Sequence, residues 1–204
     1  MKRLLIVLLV LLAACGGGVD APDDLPQGYS LVRGDHVGLA LPPEWVAMQP
    51  TAEDYRAMVE RVSQNNVPMS ARLQDLAAAI DDDTLRLAAF HEDGYTNLNI
   101  AAQGAVPLEG VADRAAANRR GLENVGYRIV ETDTVEINGK EAARTLARIQ
   151  IVTSGGDLLD WTLLQYTLIA GGQAYSISFG TPRVYYAEHW AEFERIASTF
   201  HTLD

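Results

Sequence analysis

The chain predicts an α+β domain in which an antiparallel sheet is flanked by helices, an α/β/α sandwich, with a helical pair inserted near its start. Three observations carry that reading. Residues 128–180 form a run of strand-like segments joined by short glycine turns, Asn138-Gly139 and Gly171-Gly172 among them. Two segments with apolar residues at helical spacing, 107–124 and one opening at Pro182, accompany the strands. Residues 159–169 carry apolar side chains on both alternating faces, the pattern of a strand covered on both sides.

The N-terminus stands apart from this domain. Lys2 and Arg3 precede an unbroken apolar run, 4–14. Its length of about eleven residues suits the hydrophobic region of a signal peptide and falls short of the ~20 that a spanning helix needs. The run ends Leu12-Ala13-Ala14-Cys15, and Cys15 is the only cysteine in the chain. This resembles the lipobox of bacterial lipoproteins. The resemblance implies that Leu12, Ala13 and Ala14 are recognised by the signal peptidase, that residues 1–14 are removed, and that Cys15 carries the lipid. Two or more acyl chains make such an anchor durable, at about 0.8 kcal/mol per buried CH₂. Gly16 follows where aspartate would signal retention in the inner membrane, so the resemblance points to the periplasmic side of the outer membrane in a Gram-negative envelope.

Residues 15–28 read as a tether. Glycine, proline and acids there bury too little apolar surface to offset the entropy of ordering. The domain is expected over 29–204. Residues 29–32 and 37–41 read as strands, with Arg33-Gly34-Asp35 between them. Pro42-Pro43-Glu44-Trp45 is expected to end the second, because proline cannot continue a ladder. Thr51 caps a first helix with Tyr55, Met58, Val59 and Val62 on its apolar face. Ser70 caps a second, with Leu73, Leu76, Ala77 and Ile80 at helical spacing. Asp81-Asp82-Asp83 lacks the spaced acid-and-glycine pattern of a calcium loop and reads as a solvated turn.

Residues 85–91 and 97–102 form the next expected pair, turned by Glu92-Asp93-Gly94. The helix from Pro107 buries Leu108, Val111, Ala115 and Leu122, exposes Arg114, Arg119 and Arg120, and stops at Gly126. Strands at 128–130 and 134–137 lead into Asn138-Gly139, whose residues readily adopt positive φ and mark a hairpin. Residues 142–152, 159–169 and 174–180 complete a meander. Thr181-Pro182 is expected to cap the last helix, with proline in its first position. Tyr186, His189, Trp190, Phe193, Ile196, Ala197 and Phe200 make its apolar stripe. The acids Glu188, Glu192 and Glu194 are expected to face solvent.

This order of elements resembles the PsbP/Mog1-like α/β/α sandwich family, which includes many small bacterial lipoproteins. The resemblance rests on Leu41-Pro42-Pro43-Glu44-Trp45, on Ile137-Asn138-Gly139-Lys140-Glu141-Ala142, on Tyr175-Ser176-Ile177-Ser178-Phe179, and on the closing Phe193-Glu194-Arg195-Ile196-Ala197-Ser198-Thr199-Phe200. It implies protein binding or an accessory role in a membrane-associated assembly, and it names no single activity. The helices within 51–80 depart from it.

Composition narrows the function classes. The formal charge is −11 over 204 residues, which disfavours nucleic acid, whose binding rests on neutralising phosphates. No nucleophile elbow, His-Glu-x-x-His or phosphate-binding glycine loop is present. The histidines His36, His91, His189 and His201 share no metal-ligand spacing with one another, so no metal, cofactor or catalytic residue is expected. Two functions remain. One is a non-enzymatic module held at the membrane by the lipid on Cys15 and binding an envelope protein. The other is a carrier of a small or lipidic ligand in a cleft beside the inserted helices.

Overall fold

A computed structural model describes residues 25–48, 84–105, 110–152 and 157–203. These hold ten strands and two helices. In chain order they are β1 (Ser30–Arg33), β2 (Val37–Leu41), β3 (Trp45–Met48), β4 (Leu85–His91), β5 (Asn97–Ala105), α1 (Val111–Asn124), β6 (Arg128–Ile137), β7 (Lys140–Val152), β8 (Leu158–Ala170), β9 (Gln173–Pro182), α2 (Arg183–Ala197) and β10 (His201–Thr202). Cys15, the residues before it, the helical pair expected within 51–80 and the acids at 81–83 lie outside the described residues.

Seven strands form one sheet in the order β3-β4-β5-β9-β8-β7-β6, every neighbouring pair antiparallel. β1, β2 and β10 form a second, three-stranded sheet, also antiparallel. The expected meander from 128 to 180 is present as β6 to β9. Its first two segments are one strand, interrupted only by a register shift between Ile129 and Glu131. A bulge of this kind bends a strand without ending it. The hairpin turn works as its residues imply, with Asn138 at φ 45° and Gly139 at φ 71°.

Trp45 corrects the reading of the proline segment. Pro42 and Pro43 end β2, but the Trp45 N–H donates back to the Pro42 carbonyl at 3.1 Å, and a new strand starts at once. β3 therefore crosses to the edge of the large sheet, pairing with β4. Thr181 is a second correction. It is an interior residue of β9, not a cap; its hydroxyl lies 2.9 Å from that of Thr96, and Pro182 itself holds the N-cap position of α2.

β8 shows how the layers are arranged. Every side chain from Trp161 to Leu168 is buried, so both faces are covered. On one face Thr167 accepts a hydrogen bond from Asn118 of α1 at 2.9 Å. On the other, Tyr166 meets Phe179, which stacks on Phe193 of α2 at 4.7 Å between ring centroids. The helices thus lie on opposite faces, and α2 shares its side with the small sheet. That side holds the main core: Leu39, Leu98, Ile100, Leu164, Leu168, Ile177, Phe179, Phe193 and Phe200 are all essentially inaccessible to solvent. The α1 side is more polar, with Gln165 donating to Ser178 at 3.1 Å and Asn118 exchanging hydrogen bonds with Gln103.

α1 ends as its glycine implies. Gly126 has φ 93°, its N–H donates to Glu123, and the Tyr127 N–H donates to Leu122 at 2.9 Å. That pair of bonds is a Schellman cap. Ala115 is its fully buried residue, while Arg114 and Arg119, expected outside, are half-buried.

Candidate functional site

α2 presents His189 and Glu192 three residues apart, which places them on one face of the helix. That face looks onto the end of β4, where His91 is the last strand residue and Asp93 follows in the turn. One ring nitrogen from each histidine and one carboxylate oxygen of Glu192 lie within 4.8 Å of one another. The two imidazoles meet edge to face with centroids 4.7 Å apart.

Asp93 sits between the rings. Its Oδ2 is 3.2 Å from His91 Nδ1 and 3.3 Å from His189 Nε2. On His189 the other nitrogen, Nδ1, faces Glu192 Oε1 at 3.8 Å. The turn holds Asp93 in place. Its Oδ1 accepts the N–H groups of Tyr95 and Thr96, each at 2.7 Å, and its Oδ2 accepts the Thr96 hydroxyl at 2.6 Å. Such local bonds are why aspartate favours turns. Burial alone would raise the Asp93 pKa; the hydrogen bonds from Thr96 and Tyr95 and the nearby His91 outweigh it and hold the carboxyl below its ordinary 3.8.

Aromatic rings wall this cluster. The Trp45 indole N–H donates to Glu192 Oε1 at 2.8 Å, and its ring stands against His91 at 5.6 Å. Phe193 stacks on His189 at 5.7 Å. The His189 side chain is 11 % exposed and that of His91 13 %. Two imidazoles and a carboxylate, shielded but reachable, are a donor set able to hold a divalent transition metal.

A second polar cluster is structural. Arg144 of β7 clasps both carboxylate oxygens of Asp133 on β6 and also donates to Glu194 on α2. Its guanidinium lies 4.8 Å from the centre of the Trp190 ring. The hydrogen bonds to Asp133 push its pKa up and secure its charge. The arrangement ties β6, β7 and α2 together with the bidentate geometry that only arginine supplies.

A concavity lies at one end of the sheet, where the first residues of β6 and β8 and the far half of β7 meet the first turn of α2. It is an open groove of about 590 Å³ lined by Gly126, Arg128, Arg148, Ile149, Gln150, Asp160, Trp161 and Arg183. Three of these side chains are cations and one is an anion. Arg128 and Arg148 are direct cross-strand partners. Arg183 lies 3.9 Å from Asp160, and Arg148 Nε is buried with no hydrogen-bond partner. Apolar residues edge the same end of the fold: Val125 and Leu158 are each 66 % exposed, and Val184 is 80 % exposed.

The lipidation and processing residues Leu12, Ala13, Ala14 and Cys15 lie outside the described residues. Of the four histidines, His91 and His189 are brought together, His36 is exposed, and His201 is buried with Nδ1 3.0 Å from the Thr199 carbonyl. The expectation that Glu192 faces solvent is corrected, whereas the Glu194 side chain is 41 % exposed while it pairs with Arg144. Glu192 is drawn in because the indole N–H of Trp45 supplies it with a donor. The signal for the His91 cluster was partly available in the sequence, since His189 and Glu192 stand at i and i+3 of an evident helix. Nothing local could have added His91.

No protein-family model matches the chain, and neither does any curated protein. Solved structures do match in fold. The cyanobacterial PsbP protein CyanoP of Synechocystis sp. PCC 6803 aligns with a TM-score of 0.53 at 12% identity, over 94% of this chain and 99% of its own. LpqN of Mycobacterium tuberculosis, described as involved in cell envelope biogenesis, aligns with a TM-score of 0.51 at 8% identity, over 86% of this chain and 91% of its own. The fold is therefore PsbP/Mog1-like. At these identities the likeness shows architecture, and function has to be argued from sites.

Proposed function

We propose that this chain is a lipid-anchored, non-enzymatic binding module of the bacterial envelope, and that it docks an acidic segment of a protein partner in the arginine groove. The observation that carries the reading is the pairing of Arg128 with Arg148 beside Arg183. Like charges directly opposite on neighbouring strands destabilise a sheet. Here they do so in a chain whose formal charge is −11, so the groove is a local positive field on an acidic surface. A partner carboxylate would relieve that repulsion, and such complementarity gives register and rate of encounter. The exposed Val125, Leu158 and Val184 supply apolar contact beside it.

The anchor is a separate part of the proposal and rests on Leu12-Ala13-Ala14-Cys15. Acyl chains on Cys15 hold the domain at the bilayer, and the tether lets it reach a partner there. No helix among the described residues is long and apolar enough to cross a membrane.

The test uses the full chain in its own cells, with a photo-crosslinking residue at Val184 on the groove rim or at Val46 on the far edge strand, β3. A discrete protein adduct is expected from position 184, lost when Arg128 and Arg183 are both changed to glutamate. Equal adducts from both positions, or an adduct indifferent to the two charge reversals, would overturn the groove. Intact mass of the membrane-extracted protein tests the anchor; acyl groups on Cys15 are expected, and a Cys15→Ser chain that stays membrane-bound would refute them.

A further inference from the structure

We infer that His91, His189 and Glu192 form a binding site for a single divalent transition metal of the zinc class, clamping α2 to the end of β4. The inference is independent of the arginine groove. It begins from the way each ring is turned. His91 directs Nδ1 toward Asp93, which leaves Nε2 as its ligand atom. His189 directs Nε2 toward Asp93, which leaves Nδ1, the nitrogen that faces Glu192 at 3.8 Å. One nitrogen of each ring and one carboxylate oxygen of Glu192 already lie within 4.8 Å of one another, so small side-chain rotations bring a donor from each residue onto a common ion at the usual bond lengths.

The surroundings supply the outer shell that such sites use. Metal-bound histidines donate their second N–H to a carboxylate, which sets ring orientation. Asp93 Oδ2 stands at 3.2 and 3.3 Å from those second nitrogens. At present the backbone N–H of Asp93 donates to His91 Nδ1 at 3.1 Å. Metal on Nε2 would place that ring's proton on Nδ1, exchanging the bond accepted from the Asp93 N–H for one donated to Asp93 Oδ2, 3.2 Å away. Three hydrogen bonds from Tyr95 and Thr96 fix Asp93 itself. Trp45 donates to Glu192 Oε1, the oxygen that faces His189 Nδ1, and so holds that carboxylate toward the site. Three protein ligands leave a fourth tetrahedral position for water or for a donor from a bound molecule.

Two imidazoles and one carboxylate favour zinc, copper or nickel over magnesium and calcium, which take oxygen ligands. The ligands come from two distant segments, β4 and α2, so the ion would cross-link the strand end to the helix. It binds the folded chain and not the unfolded one, so it raises stability by mass action.

Calorimetric titration of the metal-stripped, full-length chain with zinc alone tests this. One equivalent per chain is expected, with no comparable binding of magnesium. Glu192→Gln and His189→Gln should each weaken zinc at least 100-fold. Asp93→Asn should weaken it 10- to 100-fold as a positioning residue, and His36→Ala should leave it unchanged. X-ray absorption of the zinc-loaded parent chain decides the point without any variant. Two imidazole nitrogens with oxygen at about 2.0–2.1 Å are expected. No stoichiometric zinc, sulfur in the first shell, fewer than two imidazoles, or full affinity in His189→Gln would each overturn the site.

Discussion

Phe193 is the residue on which the packing of α2 depends, and its truncation gives the sharpest test. The ring is wholly buried. It stacks on Phe179 with centroids 4.7 Å apart and planes at 20°, meets Trp45 edge-on at 6.3 Å, and lies under His189 at 5.7 Å. Burying such a side chain contributes up to about 3 kcal/mol, and a well-placed aromatic pair adds roughly 0.5–1.5 kcal/mol beyond area. A cavity in a close-packed interior adds its own cost. Phe193→Ala should therefore destabilise the domain by about 3–5 kcal/mol. That is a large share of the ~5–15 kcal/mol that holds a domain folded. Phe193→Leu keeps most of the volume and loses the ring contacts, so about 1–2 kcal/mol is expected. Urea unfolding followed by tryptophan fluorescence measures both, since Trp45 sits against the ring. A loss below about 1 kcal/mol for the alanine variant would refute the claim that α2 is held by this contact. The alanine variant should also loosen His189, because the two side chains stand one helical turn apart.

Three further outcomes are expected. Asp93 has a folded-state pKa below its ordinary 3.8, so its contribution is present above that value and is lost as pH falls through the lower folded value; Asp93→Asn should narrow the stability gap to the parent only at acid pH, as read by unfolding curves from neutral to pH 2. Arg144→Lys should cost about 1–3 kcal/mol in chemical denaturation, because a lysine cannot hold Asp133 bidentately, reach Glu194 and cover Trp190 at once. Gly38→Ala should cost about 1–3 kcal/mol and release β10, because a Cβ there would sit 2.5 Å from His201 Nε2 in a buried register pair; a parent-like thermal midpoint would show that the ring is free to move.

What could be read directly from the chain was what short stretches decide. Asn138-Gly139 announces its turn because its φ values are a local property, and the doubly apolar run within β8 announces a covered strand because alternation is local too. β3 was hidden because four residues after two prolines carry little signal, and pairing with β4 makes them a strand. Thr181 looked like a cap because a threonine before a helix usually is one; Thr162 on β8 and Thr96, just before β5, claim it instead.

The same division runs through the sites. Sequence alone determined the strand and helix inventory of the second half, the acidic balance, and the expectation of a lipid at Cys15. The i, i+3 spacing of His189 and Glu192 was there to be read, but the apolar stripe assigned His189 to the core and left Glu192 to solvent. Only the tertiary structure decided that His91 and Asp93 stand opposite them, or that Arg128, Arg148 and Arg183 share one groove. Those meetings depend on which strand lies beside which and on where α2 crosses the sheet. Such choices come from burial summed over the whole domain, and no short stretch of residues records that sum.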